Sequence, residues 1–580
     1  MDWIRSNNKE REKLELIKHV IRRGEVSAIP WSRAAHLLDI DVKGLSKLAI
    51  KNRVKSTLTS ALERYHKACE KRDVANRAKH CSSFTQIHTR AAEATQQVKV
   101  RLPKALNRAE EFSSNSSRSE FVLQPLQSNG ITTQINADGE NDNEITIGLD
   151  FGTSSIKAVV RDLSGNTFLV PFGNNNSTNK FLLPTRLYET DNIYSLHKGE
   201  QAHRDLKLAL MLSSDDSSQE KATAFISLVL RYIRSWLFEN YKSLYQSDYI
   251  IWGINLGLPA KSYDDKNMVS LFHKVGLAAA NLSADESSEI TPELVQRYLS
   301  WAKNEQKSLE EGSEPSDTPI MSDMVHVVPE IAAQVAGYIR SESWDAHHNM
   351  MMLVDIGAGT VDASVFTVTK PEEHQFAFLS SSVCPFGVMN LHRKRVDWLK
   401  SLIGSRKNAD KLLPYLDEIY APTDRVDAIP ASWKSYIKGL YVSGKRSPDD
   451  EFYEAYRTQL YDDTICHGRE SNPDSPEWTE LPFFLCGGGS NMELYEQFID
   501  LVNAGKSCSS LRLKPLRMNM PKGFEAKGLR DHDYHRFSVA YGLSYARDEI
   551  GRCIPEAEIP PLDRSLNRRA EIVSVSKDMI

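Results

Sequence analysis

The segment Ile145-Thr-Ile-Gly-Leu-Asp-Phe-Gly-Thr-Ser-Ser-Ile-Lys-Ala-Val-Val160 returns in outline further along the chain as Met351-Met-Leu-Val-Asp-Ile-Gly-Ala-Gly-Thr-Val-Asp-Ala-Ser-Val-Phe366, with Asp355 following Asp150 by 205 positions. Each copy is an apolar strand ending in Asp, a turn of Gly, Thr and Ser, and a second β-branched strand. That pattern predicts a β-hairpin whose turn carries small residues where bulky ones are the rule. Glycine lets the backbone approach a ligand closely, and successive turn N–H groups form a concave anion site. Two such hairpins facing each other would clamp a polyphosphate from both sides, each adding one Asp for a metal.

Composition sets the frame around these hairpins. At 580 residues with 41% hydrophobic side chains, a sizeable core and several domains are expected. The net charge of −5 conceals an asymmetry: residues 1–110 hold 24 Lys and Arg against 12 Asp and Glu, so the remaining 470 carry −17. A basic arm on an acidic body suits an anionic partner such as nucleic acid, the body itself, or merely solvated helical faces. The seven cysteines fall at odd, irregular spacing without a C-x-x-C pair, which indicates neither a disulfide framework nor a zinc site. With no apolar signal core at the N-terminus and no run of roughly 18 apolar residues, a cytoplasmic protein without membrane contact is expected.

Along the chain, residues 1–110 read as a basic helical domain. Leu14, Ile17 and Ile21 share one face, and Val54, Leu58, Leu62 and Tyr65 another. Between them, residues 31–48 read as two short apolar helices around a tight turn, the second carrying Lys43 and Lys47. Asp39 stands where such a turn often has glycine, so packing within a bundle and DNA binding both stay open. Residues 111–144, rich in Ser, Asn, Gln, Asp and Gly, read as a flexible linker. A third glycine turn follows the apolar run Leu481–Cys486. Residues 281–320 read as a polar insertion, 405–480 carry no usable motif, and 556–580 form a polar tail.

The three turns carry the candidate chemistry. The first is Asp150, Gly152, Thr153 and Ser154, with Lys157 seven residues after the Asp. It offers hydroxyls, N–H groups and a point charge to phosphate oxygens. An exposed edge-strand lysine is the plainer reading of Lys157. The second turn, Asp355, Gly357, Ala358, Gly359, Thr360 and Asp362, adds two carboxylates and a hydroxyl. Hard oxygens of this kind suit Mg²⁺, which keeps most of its waters and is held by one or two carboxylates. The third, Gly487, Gly488, Gly489 and Ser490, opens flat backbone access apt for a nucleoside.

Taken in this order, the motifs resemble the actin/hexokinase/heat-shock-chaperone ATPase superfamily. The likeness spans about residues 145–550, within an ATPase domain expected at 145–555: phosphate motifs at 148–157 and 353–364, an adenosine motif at 485–490, and connecting helices at 328–336 and 536–546. Within the superfamily the chain is most similar to the DnaK-type, Hsp70-like chaperone ATPases, through Phe181-Leu-Leu-Pro-Thr185 and Lys198-Gly-Glu-Gln-Ala202. It departs from them in two places. Lys157 inside the first hairpin is an actin, FtsA and PilM feature, whereas the chaperones take a phosphate lysine from a later loop. Glu330 follows a proline that in the chaperones follows the glutamate. The β-sandwich substrate domain and helical lid of a chaperone are expected to be absent.

The resemblance implies an α/β fold of two lobes, each a mixed sheet with flanking helices, closing over Mg-ATP and preceded by the helical domain. It implies metal positioning through water by Asp150 and Asp355. Thr153, Ser154 and Lys157 would bind phosphates, Thr360 would sit near the γ-phosphate, and Glu330 or Asp355 would orient the attacking water. ATP and ADP would then switch the lobes toward a protein client. The other classes open to the chain are a filament-forming actin homologue, a sugar kinase for which no catalytic-base Asp stands out, and a nucleotide-sensing DNA-binding protein.

Overall fold

The computed structural model describes residues 99–102 and 121–559, leaving out positions 140, 176, 312–319, 343, 345–347, 371–374, 405, 407–408, 421–428, 505–510 and 555. The chain divides into two compact units, Met1–Gln97 and Val98–Ile580. The helices expected before residue 99, the reading of residues 31–48 and most of the tail lie outside the described residues. One part of the N-terminal expectation is corrected. Lys99–Arg101 is a strand, paired antiparallel with Tyr441–Ser443, because Val100 and Leu102 can join an apolar cluster there.

The second unit is mixed α/β, organised on two sheets. The first runs Val325–Pro329, Asp248–Leu258, Asn141–Phe151, Ser155–Asp162, Thr167–Leu169, Phe524–Glu525. The second runs Leu513–Leu516, Leu481–Cys486, Met350–Ile356, Val361–Lys370, Gln375–Cys384, Arg552–Ile554. In both, the successive pairings are parallel, parallel, antiparallel, antiparallel, parallel. The repeated segments occupy the same place in each sheet. Asp150 pairs with Lys157 across the first hairpin and Asp355 with Asp362 across the second, so the sequence offset of 205 is also the structural one.

Helices cover these sheets. Asp216–Tyr245 starts on Asp215, whose carboxylate accepts from the Ser218 N–H, and between Ala222 and Leu237 it is buried nearly all round, as a helix covered on more than one face must be. Between the sheets lie Glu330–Ile339 and Ser538–Leu543, and small residues let them touch. A Cβ on Gly542 would fall 1.7 Å from the Ala333 carbonyl, and one on Gly148 would fall 2.4 Å from that of Ala540. The short helix is therefore wedged backbone-to-backbone between the other helix and the strand that carries Asp150. Cys384, Cys466, Cys486 and Cys553 are free thiols. Among the described residues no helix is long and apolar enough to cross a membrane.

Three composition-based expectations are revised. Within the expected linker, residues 121–139 are laid against the first sheet and its helices. The Gln134 amide both donates to the Ile250 carbonyl (2.7 Å) and accepts from its N–H (2.8 Å), and Trp252 Nε1 donates to the Thr133 carbonyl at 2.9 Å. Within the polar stretch 281–320, Pro292–Glu310 is an amphipathic helix that buries Val295, Leu299 and Ala302. Within 405–480, Ala409–Ile419 joins Val388–Ile403 around Trp398, Tyr415 and Trp433 in a small helical core of its own.

Candidate functional site

Each hairpin delivers its Asp at a strand end, where the side chain leaves the sheet beside the turn. The turns are then aimed by their neighbours. Leu183–Pro184 pairs with Ser155 and Ile156, and Thr185 bonds the first turn twice: its hydroxyl donates to the Gly152 carbonyl at 2.7 Å and its N–H to that of Ser154 at 3.1 Å. At the second turn, the start of Val388–Ile403 takes up the carbonyls. Val388 N–H donates to Gly357, Met389 N–H to Ala358, and the Asn390 amide to Gly359 at 2.8 Å. With carbonyls held from behind, the amides of Thr153, Ser154, Ala358 and Gly359 are left without a backbone acceptor among the described residues. The two turns face each other, since a Cβ on Gly359 would stand 3.6 Å from Thr153 Cγ2.

The third turn closes the site from the side. Gly487 has φ +84°, and a Cβ there would fall 2.3 Å from Asp355 Oδ1, so only glycine lets the turn lie against that carboxylate. Gly489 N–H donates to the Ile356 carbonyl at 3.0 Å. A cleft of about 310 Å³ results, lined by Asp150, Gly152, Thr153, Ser154, Lys157, Glu330, Asp355, Gly357, Ala358, Thr360, Asp362 and Gly487–Gly489. Of the residues singled out in the sequence, Gly359 and Ser490 do not line it. Ser490 is buried behind the turn, its hydroxyl donating to the Gly487 carbonyl at 2.9 Å. A second, more open cavity of about 630 Å³, lined by Glu144, Asn255, His326 and Arg547 among others, holds none of the three turns.

The cleft is strongly charged. Lys157 Nζ lies 2.9 Å from Asp150 Oδ2, so this lysine is no exposed edge residue. Lys207, which sequence reading missed, is buried and lies 2.6 Å from Glu330 Oε1. Burial opposes its charge, but Glu330, Asp150 and Asp362 outweigh that and raise its pKa. The Gln334 amide, also missed, donates to Asp355 Oδ2 at 2.7 Å. Burial, then the charges of Asp150 and Glu330, push Asp355 up to about 7. Burial, then Glu330 and Asp355, likewise raise Asp362. Lys207 and Gln334 give no local signal because each is a single polar residue in a helix, and its partner, Glu330 or Asp355, lies on another element.

Four carboxylates crowd together here with two lysines, and their mutual repulsion helps to raise Asp355 and Asp362, a strain that a divalent cation would relieve. Asp362 Oδ1 is buried with no hydrogen-bond partner among the described residues. Among the described residues no three carboxylate, His or Cys side chains are gathered for direct chelation. A hydrated Mg²⁺ held through water by one or two carboxylates fits that donor set. No protein-family model matches the chain, and no curated protein matches it in sequence.

Proposed function

We propose that this chain is an ATP-binding and ATP-hydrolysing protein of the actin/hexokinase/heat-shock-chaperone superfamily, Hsp70-like, acting as a slow Mg-dependent nucleotide switch. The observation that carries the reading is the convergence of three glycine turns, from three strand ends, on one cleft with unpaired turn amides, four carboxylates and two lysines. The identical pairing pattern of the two sheets supports a two-lobed fold of the actin type, in which the cleft separates the lobes.

In this reading the turn amides, Thr153, Ser154 and Lys157 take the phosphate oxygens. Asp150 and Asp355 would hold a hydrated Mg²⁺ through its waters, and the ion would supply positive charge to the phosphates. Glu330, held by Lys207, sits where it can accept a proton from or orient an attacking water, and Thr360 lies beside the γ-phosphate. Hydrolysis at such a site is mainly positioning and charge stabilisation by preorganised groups. Release of the γ-phosphate removes what both turns grip and lets the cleft open.

Mg-ATP should raise the melting temperature of the purified protein, because a ligand of the folded state stabilises it by mass action. Asp150→Asn and Asp355→Asn should each cut turnover on the order of 10²–10³-fold while the protein stays folded. A folded sample that neither shifts with millimolar Mg-ATP nor releases phosphate would sink the reading.

A further inference from the structure

Three cations line the cleft, and two are committed to carboxylates: Lys157 to Asp150 and Lys207 to Glu330. The third, Arg536, forms neither an ion pair nor a hydrogen bond among the described residues. The carboxylate that acts on it, Asp533, is already held by the Thr178 hydroxyl at 2.8 Å and by Arg530 Nη2 at 2.9 Å. Burial lowers the Arg536 pKa, offset only in part by Asp533. A half-buried guanidinium that lines the cleft with no carboxylate of its own is free to take an anionic oxygen of a ligand through charge-assisted hydrogen bonds.

Its position says which part of a ligand. Arg536 Nε lies 3.9 Å from where a Cβ on Gly488 would stand, beside the third turn. The Gly488 N–H next to it has no backbone acceptor among the described residues. The arginine is presented by the short helical turn Asp531–Arg536, which Asp533 ties to Thr178. His535 faces the other way, its Nδ1 3.2 Å from Ser490 Oγ. On the nucleotide reading, on which this step rests, the nucleoside occupies the third turn and the β- and γ-phosphates occupy the first two. The phosphate joined to the ribose then falls between.

We propose that Arg536, with the Gly488 N–H, binds the α-phosphate and makes the cleft select 5′-nucleotides over nucleosides independently of the metal. A charge-assisted hydrogen bond contributes about 1.5–3 kcal/mol, roughly a tenfold to hundredfold preference.

Calorimetric titration with adenosine, AMP and ADP in the presence of EDTA tests this on the full chain. Wild type should bind AMP at least about tenfold more tightly than adenosine. Arg536→Gln should bring the two affinities together by weakening AMP alone, and Arg536→Lys should restore part of the gap. If the Gln variant does not fold, the Lys variant carries the test, with a several-fold loss for AMP and none for adenosine. An unchanged AMP-to-adenosine ratio overturns the assignment, and so does an equal loss for both, which would place the arginine on the base. Either result with Mg-ATP still bound leaves the nucleotide reading intact; no binding of any adenine nucleotide to wild type removes both.

Discussion

Lys157 and Asp362 are register equivalents: each stands directly across a hairpin from the strand-end Asp, Asp150 in one case and Asp355 in the other. The duplicated hairpins thus differ by a full reversal of charge at one position. On the proposed nucleotide reading, one copy would hold anionic oxygen and the other a cation near it; two lysines would then lack the metal end, and two aspartates would repel the phosphates.

The lysine therefore has a specific expected role. Lys157→Ala should weaken ATP binding more than AMP binding, because only ATP presents β- and γ-oxygens to it. It also frees Asp150 from its 2.9 Å partner, adding repulsion at the same end of the cleft. Titration of both nucleotides into wild type and variant checks this. Equal losses for the two would mean general distortion of the hairpin, and no loss for either would return Lys157 to a structural role.

Lys207 and Glu330 form a pair that is largely out of water, with side-chain exposures of 6% and 14%. Replacing one member strands the other's charge, whereas replacing both removes the problem. Lys207→Met alone should lower stability by about 3 kcal/mol, at the low end for a buried pair because Glu330 keeps some exposure. Lys207→Met with Glu330→Leu should recover a large share of that loss while remaining without turnover. Denaturant melts and phosphate release measured on the single and double variants decide the point. Additive destabilisation in the double variant would mean the two side chains act independently.

Acid should loosen the fold through half-buried imidazoles. His326, on the strand Val325–Pro329, is lowered to about 4 by burial and then by Arg547; His535 is lowered to about 4 by burial and then by Arg536. An unfolded histidine protonates near pH 6.5. As pH falls from about 6.5 toward 4, the unfolded chain binds protons that the folded chain refuses, so stability is full above this window and lost within it. The double variant His326→Gln, His535→Gln should show a shallower fall in melting temperature between pH 7 and pH 5. Some slope should remain from His273, also lowered by burial. An unchanged slope would assign the acid response to other groups.

The strands and turns of the site were legible because their signals are local. Gly148, Gly152, Gly357 and Gly487 punctuate apolar runs, and the recurrence of Asp at the same place in both copies fixed which residues share a register. Lys207, Gln334 and Arg536 were not legible, since each is an isolated polar residue whose place in the site comes from another element: Glu330 for Lys207, Asp355 for Gln334 and the third turn for Arg536. The strap at residues 121–139 misled for a related reason. Its few aliphatics cannot build a core of their own, yet its carbonyls and amides are used by Trp252, Ile250 and Arg234, which already have one. Composition measures what a segment can bury by itself and is blind to what a neighbour can supply.

That strap yields a last prediction. Gly130 sits at φ +65°, its carbonyl accepting from the buried Arg234 Nε at 2.9 Å, and a Cβ there would fall 1.8 Å from the Arg231 carbonyl. Neither the conformation nor the space admits a side chain, and the obstacle is backbone within the long helix Asp216–Tyr245, which cannot step aside cheaply. Gly130→Ala should therefore lift the strap from the helix, leaving the Arg234 guanidinium to the Ser283 carbonyl and hydroxyl alone. The global melting temperature should fall modestly, because the sheets keep their own core, while the strap itself becomes accessible. Limited proteolysis with mass mapping should show new early cuts within residues 121–139 of the variant, with the strands that carry Asp150 and Asp355 still protected. Wild-type protection of the strap in a folded Gly130→Ala protein would show that the segment is held by Gln134 and Trp252 without the Gly130 contact.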